Sequence, residues 1–205
     1  MHIVHAYNHW HNTPNRVKMT RMKIILATPL YPPDIAQPAA YIKELARRLS
    51  HSHTVTVIAY TRAPEEVSGV TILTISKRKP ILFRLFLYTK MLWHAVKTTD
   101  VLLTENGASV ALPAIIVSLF LRKPLVLHLG DMPAHTRDRH RFVYKIIEQW
   151  VCRRAHTIIT DMPHDKPEIL PFTAVDTAKT ARYEASWNAH LALLNSAFQR
   201  YATPH

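Results

Sequence analysis

The sequence predicts an α/β protein with a doubly wound, mostly parallel sheet, and three observations carry that reading. Six short apolar or β-branched segments alternate with stretches of helical periodicity: Ile24 to Thr28, Thr54 to Tyr60, Val70 to Ile75, Val101 to Thr104, Leu125 to His128 and Thr157 to Thr160. The first of them is apolar or β-branched at every position rather than every second one, as a strand buried on both faces requires. The chain has 205 residues, 48% of them hydrophobic, enough for one sizeable core and too short for two stacked domains of about 150 residues each.

Residues 1–21 read as a disordered extension, so that Met19 or Met22 serves as a start as readily as Met1. His2, His5, His9 and His11 lie in this extension at spacings that match no zinc motif, and the apolar core of a secretory signal is absent from it. The first strand ends at Pro29, Pro32 and Pro33, which cannot continue a ladder. Ile42, Leu45, Ala46 and Leu49 then recur at helical steps before Val55 to Ile58 resumes a strand, which makes a βαβ opening. Pro80 starts a second helix that runs to Lys97. Ala108 to Leu121 is the longest apolar stretch; it falls short of the ~20 residues of a membrane span, contains Pro113 and reads as a buried helix. Val143, Ile146, Ile147, Trp150 and Val151 mark a helix with one buried stripe, and Arg139, Lys145, Glu148 and Arg153 mark its other side. The main body is thus residues 22–160. A connector over 161–175 carries Pro163, Pro167 and Pro171, and a final helix over 176–205 follows, capped by Asp176. Its stripe of Tyr183, Trp187, Leu191, Leu194, Phe198 and Tyr201 calls for a surface to cover, and the sheet is the one at hand.

Composition excludes several functions. With glycine only at 69, 107 and 130, the chain has neither a Gly-rich dinucleotide loop nor a P-loop. Cys152 is the single cysteine, which rules out an internal disulfide and fits a reducing, cytoplasmic setting; beside Trp150 and Val151 it reads as a packed thiol. The net charge of +12 favours an anionic partner, whether phosphorylated sugar, acidic lipid or nucleic acid. Nucleic acid is the weakest of the three, since the basic residues are dispersed and no recognition motif is present.

The run Met22 to Asp34, with its Tyr31-Pro32-Pro33-Asp34 turn, resembles the start of the family 4 glycosyltransferases, two-domain GT-B enzymes. The run Glu148 to Thr160, with Arg153-Arg154-Ala155 leading into an apolar strand, resembles the last helix and strand of their amino-terminal domain. The resemblance spans about residues 22–160 and implies a single Rossmann-like GT-B half with a C-terminal covering helix, similar to the family's crossover helix. It implies retaining transfer from a nucleotide-sugar, with no other cofactor and no metal. The family holds its donor mainly in a carboxyl-terminal domain, and nothing after Thr160 offers that site. The expectation is an acceptor-side half that is inactive alone, partnered by a separate donor-binding subunit, or else a degenerate relative. A non-catalytic scaffold module that binds a membrane or a protein is the alternative.

The loops Pro29 to Gln37, Glu105 to Ser109 and His128 to His135 should meet at the carboxyl edge of the sheet, where open α/β sheets bind ligands. His128 matches the family's sugar-contacting histidine at a strand end, and with Asp131 it is the candidate acid–base pair; ending a strand and capping the next element is the competing role for these two. Asp34, Ala36, Gln37, Asn106, Gly107 and Gly130 are the candidate substrate-binding residues, although Asp34 is also an ordinary turn former. Ala36 and Gln37 stand where the family has a glycine pair, and their side chains occupy space that a phosphate would otherwise approach.

Lys77, Arg78 and Lys79 precede the helix in which Phe83, Arg84, Phe86, Leu87 and Lys90 lie. Phe83, Phe86 and Leu87 project toward its polar side, so this helix carries more apolar surface than one sheet contact hides. A basic cluster beside exposed apolar residues suits the inner face of an anionic membrane or a lipid-linked acceptor; burial under the connector or the final helix is the other outcome.

Overall fold

A computed structural model describes residues 2–3, 20–129, 141–160 and 177–201. The strands are β1 (His2–Ile3), β2 (Lys23–Thr28), β3 (Thr54–Ala59), β4 (Val70–Thr74), β5 (Val101–Glu105), β6 (Leu125–Leu129) and β7 (Thr157–Thr160). The helices are α1 (Gln37–Leu49), α2 (Ile81–Val96), α3 (Ala108–Leu121), α4 (Arg141–Arg154) and α5 (Thr177–Gln199). All strands join one sheet in the order β1-β7-β6-β5-β2-β3-β4, and every neighbouring pair is parallel. Winding runs outward in both directions from β2 and β5, which is the doubly wound, Rossmann-like α/β arrangement.

Alternation along each strand divides the core in two. Ile24 and Leu26 of β2 face α1 and α5, together with Val55, Val57, Leu103 and Val126. Ile25 and Ala27 face the opposite layer of α2, α3 and α4, with Ile58, Leu102, Leu125 and Leu127. Apolar side chains on both faces explain the unbroken hydrophobic runs, because helices cover both sides of a parallel sheet. In α1 the predicted stripe Ile42, Leu45, Ala46 and Leu49 is fully buried. In α3 the Pro113 ring is accommodated inside a helix buried along most of its length, and Arg122 in left-handed conformation (φ 51°) ends it.

Strict strand–helix alternation fails at one point: residues 60–69, between β3 and β4, form no helix. Pro64 opposes a short helix here, and Gly69 takes a φ of +76° that turns the chain back into β4. The loop is tied across the rim by the Tyr31 hydroxyl, which donates to the Glu65 carbonyl at 3.2 Å, and by an ion pair between Lys43 and Glu65.

At the amino end, His2–Ile3 pairs with Thr157 and Ile158 of β7 as a short edge strand; the rest of the predicted extension up to residue 19 lies outside the described residues. The connector 161–175 and the Asp176 cap lie outside them too. Cys152 is half-buried against the α2–α3–α4 core.

The covering helix is α5, on the same face as α1. Trp187, Leu194 and Phe198 are fully buried beneath it, while Tyr183, Leu191 and Tyr201 close the margins. Polar contacts fix its position. Arg48 of α1 grips Glu184 through two hydrogen bonds of 2.7 and 2.8 Å, and its guanidinium lies 5.1 Å from the Trp187 ring. Burial opposes the charge of Arg48, but its bonds to Glu184 and Glu44 outweigh that and raise its pKa. The Thr157 and Tyr201 hydroxyls meet at 2.8 Å. Buried His53 accepts from the Met22 backbone N–H at Nδ1 (3.3 Å) and reaches the Asn195 side-chain oxygen with Nε2 (3.2 Å).

Truncation of Phe198 or Trp187 to alanine should cost about 3–5 kcal/mol, read as a lowered urea midpoint for the full chain. Stability should also fall on acidification. Burial lowers the His53 pKa most, with Arg21 adding to the effect, and burial likewise lowers that of His156, whose Nδ1 accepts from the Leu125 N–H at 3.2 Å. Both rings are therefore held neutral. The unfolded chain binds more protons below the ordinary histidine pKa of about 6.5, so the urea midpoint should be level above that pH and decline below it. His53→Asn, which keeps an acceptor near Nδ1 without titrating, should flatten the decline; an unchanged slope would remove His53 as a cause.

Candidate functional site

β2 and β5 are neighbours in the sheet, yet the chain leaves them in opposite directions, so the switch point at which open α/β sheets form their ligand crevice lies above their carboxyl ends. Thr28 ends β2 and Glu105 ends β5; both are buried, and the Thr28 hydroxyl is hydrogen-bonded to Glu105 Oε2. The same hydroxyl lies 2.7 Å from the Leu30 carbonyl and accepts from the Leu30 N–H at 3.2 Å. Thr28 thus has one proton for two acceptors, which pins the turn out of β2 against a buried carboxyl group.

The loops at this crevice approach closely. Asn106 donates its backbone N–H to the His128 carbonyl at 3.0 Å, which joins the ends of β5 and β6. A Cβ on Gly107 would stand 3.2 Å from Pro29 Cγ, so the β2 and β5 loops meet where only a missing side chain gives room. Tyr60, at the end of β3, donates to the Ser109 carbonyl at 3.0 Å. Burial pushes the Tyr60 hydroxyl up to about 12, against a smaller opposing effect of Arg84, and pushes that of Tyr31 to about 12 with help from Glu65; both remain proton donors at neutral pH.

Two helices begin at this rim. α1 starts after Ala36 and α3 after Gly107; neither has a side-chain cap or an acidic residue in its first turn. The nearest acids are Asp34 before α1 and Glu105 before α3, and neither caps its helix. Asp34 stands in the turn before α1 and pairs with Lys77 at 2.6 Å; between it and α1 is Ile35, which is fully exposed. Ala36 is exposed, and the side chain of Gln37 lies outside the described residues, as do Gly130 and Asp131.

His128 is only 3% exposed. Its ring is stacked on Tyr41 of α1 (centroids 4.8 Å apart, 17° between planes) and meets His190 of α5 edge-on at 6.0 Å. Tyr41 in turn stacks on Trp187 at 5.7 Å, and its hydroxyl is 2.8 Å from His190 Nε2. The buried Tyr41 ring therefore covers one face of this imidazole. Sequence reasoning did not single out Thr28, Glu105, Tyr41 or His190. Glu105 had a signal, an acid closing an otherwise apolar strand at the switch point, whereas Tyr41 and His190 are distant in sequence and meet only through the fold.

Of the predicted basic and aromatic cluster, Phe83 and Phe86 are exposed, as are Lys77, Arg78, Lys79 and Lys90. Leu87 departs from the expectation and is partly buried against the α2–α3–α4 core, because it adjoins the inward stripe of Tyr88 and Leu92. Arg84 also turns inward, with its guanidinium 5.0 Å from the Tyr60 ring. Among the described residues no group of histidine, cysteine, aspartate or glutamate side chains is arranged to hold a metal, and no helix is long and apolar enough to cross a membrane.

No family model and no curated protein matches this chain. Among solved structures, one similar chain is a UDP-N-acetylglucosamine 2-epimerase (12% identity, 69% of this chain and 42% of that one, TM-score 0.48). Another is Arabidopsis thaliana UGT89C1 complexed with UDP (9%, 80% and 54%, TM-score 0.48). A third is the C-terminal domain of the coenzyme A biosynthesis bifunctional protein CoaBC (10%, 88% and 96%, TM-score 0.45). This chain spans about half the length of the first two or less, and likeness at this level does not choose a function.

Thr28→Val keeps the shape of the side chain and removes a hydrogen bond to the buried Glu105; it should lower stability by about 1.5–3 kcal/mol in urea unfolding, and Thr28→Ser should recover most of the loss.

Proposed function

We propose that this chain is the acceptor-side half of a nucleotide-sugar-dependent glycosyltransferase of the family 4 type, completed by a separate donor-binding subunit. The observation that carries the reading is the switch-point crevice over Thr28 and Glu105, built in the same unit, residues 22–160, whose Tyr31-Pro32-Pro33-Asp34 turn supplies the resemblance. Two helix starts without side-chain caps at this rim suit a sugar lying across it. Asn106 and Asp34 at the rim, and the Glu105 carboxyl buried beneath it, are of the types that pair with sugar hydroxyls.

In this reading the partner subunit holds the nucleotide and closes the crevice against water. His128, enclosed by Tyr41 and His190, acts as a positioning residue that sets the end of β6, and Asp131 keeps the acid–base role that the resemblance implies. Ala36 and Gln37 in place of a glycine pair support weak phosphate binding by the lone chain, and so a protein inactive without its partner.

Calorimetric titration of UDP- and GDP-sugars into the purified chain should show binding no tighter than about 1 mM, whereas a mixture with the donor-binding subunit should transfer sugar. Glu105→Gln should lower that transfer by about 10- to 100-fold with the chain still folded. Tight nucleotide-sugar binding by the chain alone, abolished in His128→Ala, would contradict the reading.

A further inference from the structure

The helical layers differ sharply in what they show to solvent. Every large hydrophobic residue exposed on a described helix belongs to α2, α3 or α4, and none to α1 or α5. The most exposed cluster opens α2: Ile81 is 59% exposed, Leu82 78% and Phe86 62%, whereas Tyr88, Leu92 and Val96 of the same helix are fully buried. The sheet contact is thus already complete without the first turn. Leu82 and Phe86, one helical turn apart, share an exposed side of α2.

Charge along this segment of the sequence has one sign. From Val67 to Thr99 the chain contains no aspartate or glutamate but carries Lys77, Arg78, Lys79, Arg84, Lys90 and Lys97. Exposure is unbroken from Lys77 to Phe83, and Lys79 Nζ lies 5.1 Å from the Phe83 ring. Arg78, Lys79 and Lys90 pair with no carboxylate among the described residues. The Lys77–Asp34 ion pair sets fully exposed Ile35 beside the same turn, so the patch adjoins the candidate crevice.

We propose that the first turn of α2, with Ile35, is the docking surface of this protein for an anionic lipid bilayer. Ile35, Leu82 and Phe86 enter the boundary between headgroups and acyl chains, and Arg78, Lys79 and Lys90 meet lipid phosphates. Protruding aliphatic and aromatic side chains ringed by long cationic ones match an anionic interface, which takes up the apolar tips and the charges at adjacent depths. A second copy of the chain fits poorly, since it would bring a +12 charge and the same basic turn against itself. Docking this way turns the crevice toward the membrane, where a lipid-linked acceptor would be reached without leaving the bilayer. The proposal does not depend on the transferase reading.

The test is co-sedimentation of the full chain with vesicles of phosphatidylcholine alone and of phosphatidylcholine mixed with phosphatidylglycerol. Binding is expected only to the mixed vesicles, weakening as salt rises. Arg78→Ala with Lys79→Ala should weaken it about thirtyfold. Leu82→Ser with Phe86→Ser should also weaken it, at least tenfold, with circular dichroism unchanged because both side chains are exposed. Absence of binding to mixed vesicles, equal binding to phosphatidylcholine alone, or binding indifferent to both double substitutions would overturn the proposal. So would a concentration-dependent dimer that the Leu82 and Phe86 substitutions dissolve.

Discussion

The Tyr41 ring is the contact on which one whole side of the molecule depends. It lies between His128 at the end of β6 and Trp187 in the middle of α5, nearly parallel to both, and its hydroxyl reaches His190. Sheet, first helix and last helix therefore share one aromatic stack. Offset stacking of this kind contributes about 0.5–1.5 kcal/mol per pair beyond the area buried. Its larger effect is geometric: with Arg48 gripping Glu184 nearby, it sets where α5 crosses the α1 face, and so how His128 is enclosed.

A parallel sheet requires cover on both faces, and the two covers here are made differently. α2, α3 and α4 arise as the crossovers of the chain and neighbour one another over their face. On the other face the β3–β4 link contributes no helix, so α1 alone would leave the stretch under β5, β6 and β7 bare; α5 fills it with Trp187, Leu194 and Phe198. The final helix is thus part of the core of the domain. The crossover layer in turn keeps its surplus apolar side chains on the outside, which gives the molecule a basic, apolar flank and a polar one.

Much of this was legible in the sequence. Strand positions followed from apolar runs punctuated by proline and glycine, and the stripes of α1 and α5 from helical spacing, because burial on a sheet selects residues at those steps whatever lies opposite. The convergence of the loops after β2 and β5 followed from the doubly wound order. Less legible was the state of the residues at the rim. His128 looked available because it ends a strand, and only the approach of Tyr41 and His190 shows it enclosed. Leu87 looked exposed on a helical wheel and Arg84 was expected in the surface cluster, but both lie near the boundary of the buried stripe, where a small rotation of the helix decides the matter.

Sequence alone therefore determined the class of fold, the exclusion of glycine-dependent nucleotide loops, the single-sign charge of the α2 segment and the need of the last helix for a surface. These are local properties of composition and period, and they hold in any packing. Tertiary structure decided that Thr28 and Glu105 meet at the switch point, that Gly107 yields its space to Pro29, and that Asp34 is tied to Lys77. Each of those contacts joins residues far apart in the chain. Their pairing depends on strand order and register, which no local pattern records.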